Sequence, residues 1–153
     1  MKFHLGFIQT LFIFASLLLF SWGGQYNGQY LLDQIFDETG SSVHIPSPPT
    51  KHDKYTLIIS SKNNKSTKKY NLSLHISNSI FGPMKVMAGS GRNVTVGPLF
   101  STKMMPPPKY FSLEQTLISI LPESEYINLD HASGILSFNG SMGSVMFHQM
   151  KKK

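Results

Sequence analysis

The sequence predicts a mostly β domain with one short helix, in which an antiparallel meander forms a small, partly open barrel and the helix packs on the sheet. Short segments of alternating apolar and polar residues recur along the chain, separated by turns rich in Gly, Asn and Ser. A single segment, residues 112–121, has the apolar spacing of a helix. Because the connections between strands are short, consecutive strands are expected to pair as neighbours.

The first residues, 1–23, are predicted to be a secretory signal peptide. Lys2 and His4 precede an apolar run over residues 5–20, and Gly23 is one of the small residues that a signal peptidase reads. A retained membrane anchor is the alternative, but the run is shorter than the roughly 20 residues that span a bilayer. We therefore expect secretion into the extracellular space.

The rest of the chain is predicted to be one domain, residues 24–150, followed by a basic tail, residues 151–153. This length is sufficient to bury a core without disulfide bonds, and the chain contains no cysteine. The predicted strands are residues 29–36, 55–60, 70–76, 84–88, 93–99, 126–129, 135–138 and 144–148. Residues 44–53, with three prolines, are predicted to be a loop.

The predicted helix begins with a capping box and ends at a proline. Ser112 and Gln115 are spaced so that each side chain can bind the other's backbone N–H. Pro122 stops the helix. The apolar stripe between them consists of Leu113, Leu117, Ile120 and Leu121. Prolines 106–108 predict a stiff extended connector from a strand that ends near Phe100, rather than a ligand for a proline-binding groove.

A series of motifs across residues 71–149 carries a family resemblance. Ser77-Asn78 ends a strand, VTVGPL and STKMM follow at 94–99 and 101–105, and Glu114-Gln115 opens the helix. In this order the motifs resemble the META domain, the HslJ-like family, and residues 27–36 resemble the opening strand of that family. The signature residues, to which the resemblance gives a structural role, are Asn78, Gly97, Pro98, Ser101, Thr102, Lys103, Met104, Met105, Glu114 and Gln115.

The resemblance implies a β-rich fold with a helix on the sheet. It implies no settled biochemical activity, only an association with heat shock and stress tolerance, secretion and, in parasites, infectivity. Bacterial relatives carry cysteines where this chain has Ser77 and Pro106. Because both cysteines are replaced together, the resemblance implies that these two positions are neighbours in the fold.

Four Asn-x-Ser/Thr sequons fit a secretory route. They lie at Asn64, Asn71, Asn93 and Asn139. Asn71 and Asn93 alternate with the apolar residues beside them, which predicts that both lie on the outer face of a strand. Chance sequons in a chain rich in Asn, Ser and Thr are the alternative interpretation.

The formal net charge of +6 comes largely from lysines clustered in the region Lys51–Lys69 and in the tail. These lysines have no arginine forks and few aromatic side chains among them, which argues against a nucleic-acid partner. A solvated hairpin is the main interpretation. Contact of the Lys51–Lys69 region with an anionic surface of glycans or lipid headgroups is the alternative.

Motifs for catalysis or cofactor binding are not apparent in the sequence. The chain has no cysteine nucleophile and no Gly-x-Ser-x-Gly elbow, and Asp130-His131 falls in a predicted turn. Met146, His148 and Met150 recur with period two and form a soft ligand set suited to Cu(I), but methionine as a gap-filler in a terminal strand is the favoured interpretation. We therefore expect no enzymatic activity, no cofactor and no metal.

The sequence thus predicts a secreted, monomeric META/HslJ-like protein that acts as a binding or structural module, with a protein or a hydrophobic ligand as its partner. One alternative is a small carrier whose barrel admits an acyl chain between sheet and helix. Another is a protein-interaction or inhibitor module that uses the prolyl connector and the neighbouring strand edge.

Overall fold

One sheet of nine strands and one helix make up the part of the chain that a computed structural model describes, residues 25–50, 54–61, 69–87, 92–102 and 104–151. The predicted mostly β fold with a single helix is confirmed for these residues. The predicted signal peptide lies outside them. The elements are β1 (Gly28–Phe36), β2 (Thr56–Ser61), β3 (Lys69–His75), β4 (Ser79–Val86), β5 (Val94–Val96), β6 (Phe100–Ser101), α1 (Pro108–Ile120), β7 (Ser124–Asp130), β8 (Ile135–Gly140) and β9 (Gly143–Gln149).

The sheet is an antiparallel meander whose first and last strands pair. Its order is β5-β4-β3-β2-β1-β9-β8-β7, and β6 pairs with β4 beside β5. At the two ends of this order, Asn93 of the β5 segment forms a bridge with Tyr126 of β7, and the Ile127 N–H donates to the Arg92 carbonyl at 2.7 Å. The sheet therefore closes almost completely into a barrel with one seam, as the sequence predicts.

Strict alternation along the strands places the core inside the barrel. In β3, Tyr70, Leu72 and Leu74 are buried while Asn71 is exposed, because successive side chains of a strand point to opposite faces. Aromatic side chains fill much of the interior. The rings of Phe138 and Phe147, for example, meet edge to face with their centroids 6.1 Å apart.

The predicted strand 84–88 begins five residues too late. β4 starts at Ser79, and the β3–β4 ladder begins with His75 opposite Ser79. Gly82 and Pro83 interrupt the alternation that would have revealed the longer strand. Gly82 is required there because a side chain would meet the Pro98 carbonyl oxygen, 2.5 Å from the position of a Cβ atom.

The predicted strand 93–99 is in fact two strands. β5 and β6 pair with different parts of β4, and the chain between them passes through Gly97, whose φ of +98° favours glycine, and a cis Gly97–Pro98 peptide. The Gly97 N–H donates to the Pro83 carbonyl at 2.8 Å, which holds this turn against β4. Glycine at position 97 is thus explained by the backbone conformation.

The predicted capping box is wrong, because α1 begins four residues before Ser112. Pro107 occupies the cap position without a side-chain hydrogen bond, and Pro108 opens the helix, where its missing N–H costs nothing. The Pro107 carbonyl accepts the backbone N–H groups of Tyr110 and Phe111. Ser112 therefore lies exposed in the helix interior.

The predicted apolar stripe of the helix is confirmed. Its four members, Leu113, Leu117, Ile120 and Leu121, are all buried, and Tyr110 extends the stripe by one turn towards the N-terminus. The helix ends before Pro122, as predicted, and the chain turns into β7.

Candidate functional site

Four of the signature residues meet in one hydrogen-bond network, which is buried at Asn78 and Glu114 and which we call the signature network: Asn78, Thr102, Met104 and Glu114. Asn78 lies in the turn between β3 and β4 and is 3% exposed, and Glu114 lies on α1 and is 2% exposed. The network therefore joins three separate parts of the chain: a strand turn, the connector before the helix, and the helix itself.

Glu114 accepts hydrogen bonds from the turn. Its Oε1 atom accepts the Asn78 N–H at 2.7 Å and the Ser77 N–H at 3.3 Å, and its Oε2 atom accepts Asn78 Nδ2 at 2.9 Å. A buried carboxylate needs such donors because burial removes its hydration. The helix is thereby fastened to the β3–β4 turn.

Asn78 also binds the connector, through its Oδ1 atom and the second N–H of its Nδ2 atom. Its Oδ1 atom accepts the Met104 N–H and the Thr102 hydroxyl, each at 3.1 Å, and its Nδ2 atom also donates to the Met104 carbonyl at 3.1 Å. Thr102 pairs with the start of β4 as well, because its N–H donates to the Ser79 carbonyl and its hydroxyl accepts the Ser79 N–H. One asparagine thus links the helix to the connector.

The network's polar atoms are engaged with one another. Among the described residues, no buried side-chain nitrogen or oxygen lacks a hydrogen-bond partner. Asn78 and Glu114 therefore hold the turn, the connector and the helix together. Sequence reasoning assigned both residues a structural role by resemblance, but it did not find their contact. The available signal was the position of Glu114 on the buried face, four residues after Tyr110 and three before Leu117.

The other signature residues lie outside this network. Gly97 and Pro98 form the turn between β5 and β6, and the Ser101 hydroxyl donates to the Thr102 carbonyl at 3.3 Å. Gln115 is exposed on the helix, and Lys103 lies outside the described residues.

The connector exposes apolar side chains although the Met104 backbone is held by Asn78. Met105 is 99% exposed, Met104 is 62% exposed, and Phe111 in the first turn of α1 is 52% exposed. We call these three residues the connector surface. Pro106, which lies in the sequence between Met105 and Phe111, is buried. Tyr110 is also buried, and its hydroxyl donates to the Ser47 carbonyl at 3.2 Å.

The sequons differ in their surroundings. Asn71 and Asn93 are exposed, which confirms their predicted placement on the outer face. Asn139 is half-buried, and its Nδ2 atom donates to the Ser137 hydroxyl at 3.2 Å. Asn64 lies outside the described residues.

The methionine and histidine set of the last strand also lies on the outer face. Met146 is half-buried, whereas His148 and Met150 are exposed. His148 and Met150 line a surface depression together with His131 of the β7–β8 turn. Within the described residues, no group of three His, Cys, Asp or Glu side chains is arranged to hold a metal ion.

Asp130 is the last residue of β7 and His131 is the first residue of the turn that follows, so the predicted turn is confirmed for His131 and begins one residue too early at Asp130. The Asp130 carboxylate accepts the Ser133 hydroxyl at 2.6 Å and the Ala132 N–H at 3.0 Å, and these hydrogen bonds lower the pKa of the carboxyl group. The aspartate thus has the contacts of a turn-forming residue. Of the lysines in the region Lys51–Lys69, Lys54 and Lys69 are described, and both are exposed.

Comparisons with known proteins show the fold alone. No family model and no curated protein matches the chain. The NMR structure of a protein from Burkholderia xenovorans matches with a TM-score of 0.62 and 14% identity, over 82% of this chain and 83% of that chain. A second protein structure determined by NMR matches with a TM-score of 0.53 and 17% identity, over 80% of this chain and 89% of that chain. In the described part of the chain, no helix has the length and apolar character to cross a membrane.

Proposed function

We propose that this chain is a secreted, non-enzymatic META/HslJ-like protein that binds another protein through its connector surface. The observation that carries the proposal is the contrast within residues 102–111. The Met104 backbone is held by two part-buried hydrogen bonds of Asn78, while the side chains of Met104, Met105 and Phe111 remain exposed. Exposed apolar side chains that cluster on one segment are typical of interaction sites.

The fixed backbone favours binding by lowering its entropic cost. A segment that is already ordered loses little conformational freedom when a partner docks. Methionine adds adaptability, because its flexible thioether chain fits apolar surfaces of different shape. A partner with an apolar groove suits these two exposed methionines and the exposed phenylalanine of the first helical turn.

Surface binding fits the geometry better than the carrier alternative. The inner face of α1 is packed into the core, and its central residue Leu117 has no exposed surface. This packing between helix and sheet supports binding at the surface over an acyl chain in that position.

A site-specific crosslinking experiment tests the proposal. The full chain is expressed in a eukaryotic cell with a photoreactive amino acid at position 105, and a matched sample carries it at position 142, in the β8–β9 turn, where Met142 is 42% exposed. We expect a discrete protein adduct from position 105 that Met104→Ser and Phe111→Ser weaken. Equal adducts from both positions would contradict the proposal, and extractable lipid in the purified protein would favour the carrier.

A further inference from the structure

A row of apolar side chains crosses the outer face of strands β2, β3, β4 and β6. The strand register aligns Ile58 with Ser73, Ser73 with Phe81, and Phe81 with Phe100. Ile58 is 43% exposed, Phe81 is 44% exposed and Phe100 is 56% exposed. The rings of the two phenylalanines lie with their centroids 6.1 Å apart. We call Ile58, Ser73, Phe81 and Phe100 the outer row.

Ser73 leaves a gap in the outer row. Its side chain is the shortest of the four, and larger side chains flank it on both neighbouring strands. Adjacent strands lie about 4.8 Å apart, so Ile58 and Phe81 stand about 10 Å apart across the serine. The row therefore contains a shallow groove that runs along β3, with an aliphatic wall on one side and an aromatic wall on the other.

Asn71 is placed at the end of this groove. It lies two residues before Ser73 on the same exposed face of β3, and Ser73 is the hydroxyl residue of its sequon. Pro83 stands opposite Asn71 on β4, so Phe81 is its diagonal neighbour. Diagonal neighbours across an antiparallel pair are within reach of long side chains.

A sugar attached to Asn71 fits this groove chemically. A pyranose ring has polar hydroxyl groups at its edge and an apolar face of C–H groups. That face can pack against an aromatic ring, whose negative π face attracts the weakly positive hydrogens. The remaining hydroxyl groups stay in water, so the sugar can cover the outer row without burying unpaired polar atoms.

We propose that an N-linked glycan on Asn71 lies along β3 with its first sugar packed between Ile58 and Phe81, covering the outer row. The proposal rests on the secretory route of the proposed function. Asn139 has the exposed Tyr126 opposite it on β7, but its amide is half-buried and bonded to Ser137, so Asn139 is less open to a glycan than Asn71. The glycan at Asn71 is thus part of the folded surface rather than a free appendage.

The test compares thermal unfolding of matched glycoforms. The full chain is secreted from a eukaryotic cell behind a heterologous leader, with Asn64, Asn93 and Asn139 each changed to Gln so that Asn71 is the sole sequon. Glycopeptide mass spectrometry measures the occupancy of Asn71. Endoglycosidase H then trims the glycan to one sugar, and the melting temperature of this form is compared with that of the Asn71→Gln protein.

We expect the one-sugar form to melt about 2 °C or more above the Asn71→Gln protein, the effect of one cross-strand contact in a domain of this size. Phe81→Thr should remove most of that difference. The control Phe111→Ala changes a similarly exposed aromatic residue on α1 and should leave the difference unchanged.

Three results would overturn the proposal. The first is an unoccupied Asn71 in the secreted protein, and the second is a difference in melting temperature that persists in Phe81→Thr. The third is a dimer of the glycosylated protein that Phe81→Thr dissociates, because a second copy would then cover the outer row. Crosslinking from position 105 is measured on the same protein, so a failure here is distinguishable from a failure of the proposed binding function.

Discussion

Replacement of Glu114 by Gln should destabilise the protein strongly, although the two side chains have nearly the same size and shape. The carboxylate accepts the Asn78 N–H, the Ser77 N–H and Asn78 Nδ2. A glutamine can keep its oxygen towards the two backbone groups, but its amide nitrogen then faces Asn78 Nδ2, which is also a donor. The glutamine amide and Asn78 Nδ2 then face each other without an acceptor between them, and the two backbone hydrogen bonds lose the assistance of a charge.

The magnitude follows from these contacts. An unsatisfied buried donor costs about 1 to 3 kcal/mol, and each hydrogen bond that changes from a charged to a neutral acceptor loses about 1 kcal/mol. Because the Ser77 contact is long at 3.3 Å, it contributes less than the Asn78 contact at 2.7 Å. We therefore expect Glu114→Gln to lower the free energy of unfolding by about 2 to 4 kcal/mol. Glu114→Ala should cost at least as much, since it removes all acceptors.

Urea unfolding followed by far-ultraviolet circular dichroism measures this change. Tryptophan fluorescence is unsuitable, because the one tryptophan of the chain, Trp22, lies in the predicted signal peptide. Gln115→Ala is the matched control on the neighbouring exposed position and should stay within about 0.5 kcal/mol of the wild type. If Glu114→Gln also stays within that range, the signature network does not stabilise the fold.

Three further predictions concern the core, the connector and the tyrosines. Leu117→Ala should lower the free energy of unfolding by about 2 to 5 kcal/mol by leaving a cavity, and a smaller loss in urea unfolding would mean that the helix is loosely packed. A Ser77→Cys plus Pro106→Cys variant should form a disulfide under oxidising conditions, and two titratable thiols after folding would disprove the implied neighbourhood. Burial raises the pKa of Tyr30 and Tyr55 to about 12, so the folded state holds these protons more tightly than the unfolded state. The contribution of these two tyrosines to the free energy of unfolding should be fully present below pH 10 and be lost as the pH rises towards 12. An unchanged free energy of unfolding over that range would contradict the prediction.

The sequence revealed those elements whose signal is local and periodic. Alternation located β1, β2, β3, β7, β8 and β9 to within two residues at most ends, and the 3.6-residue stripe identified the buried face of α1. The start of β4 was hidden because Gly82 and Pro83 occupy positions where the alternation would continue. Their presence reflects the close approach of another segment, which only the folded chain reveals.

Two sequence signals indicate different starting points for the helix. The spacing of Ser112 and Gln115 satisfies a capping box, yet the fixed backbone angle of Pro108 is equally suited to a first turn and extends the helix further towards the N-terminus. The helical spacing indicates that Glu114 lies on the buried face, but it does not indicate Asn78 as the partner, because these residues are 36 positions apart. The family resemblance marks both residues as signature residues, and the hydrogen bonds between them are seen only in the structure.

Asn78 fixes the Met104 backbone within an otherwise exposed connector, and amide hydrogen exchange of Met104 measures this directly. This N–H donates to Asn78 Oδ1, although the Met104 side chain is 62% exposed. We expect the amide to exchange at least about 100-fold more slowly than in an unfolded peptide, and to lose that protection in Glu114→Gln under conditions where β8 and β9 keep theirs. Exchange of the Met104 amide at the unfolded-peptide rate in the wild-type protein would show that the connector is not held, and would contradict the claim.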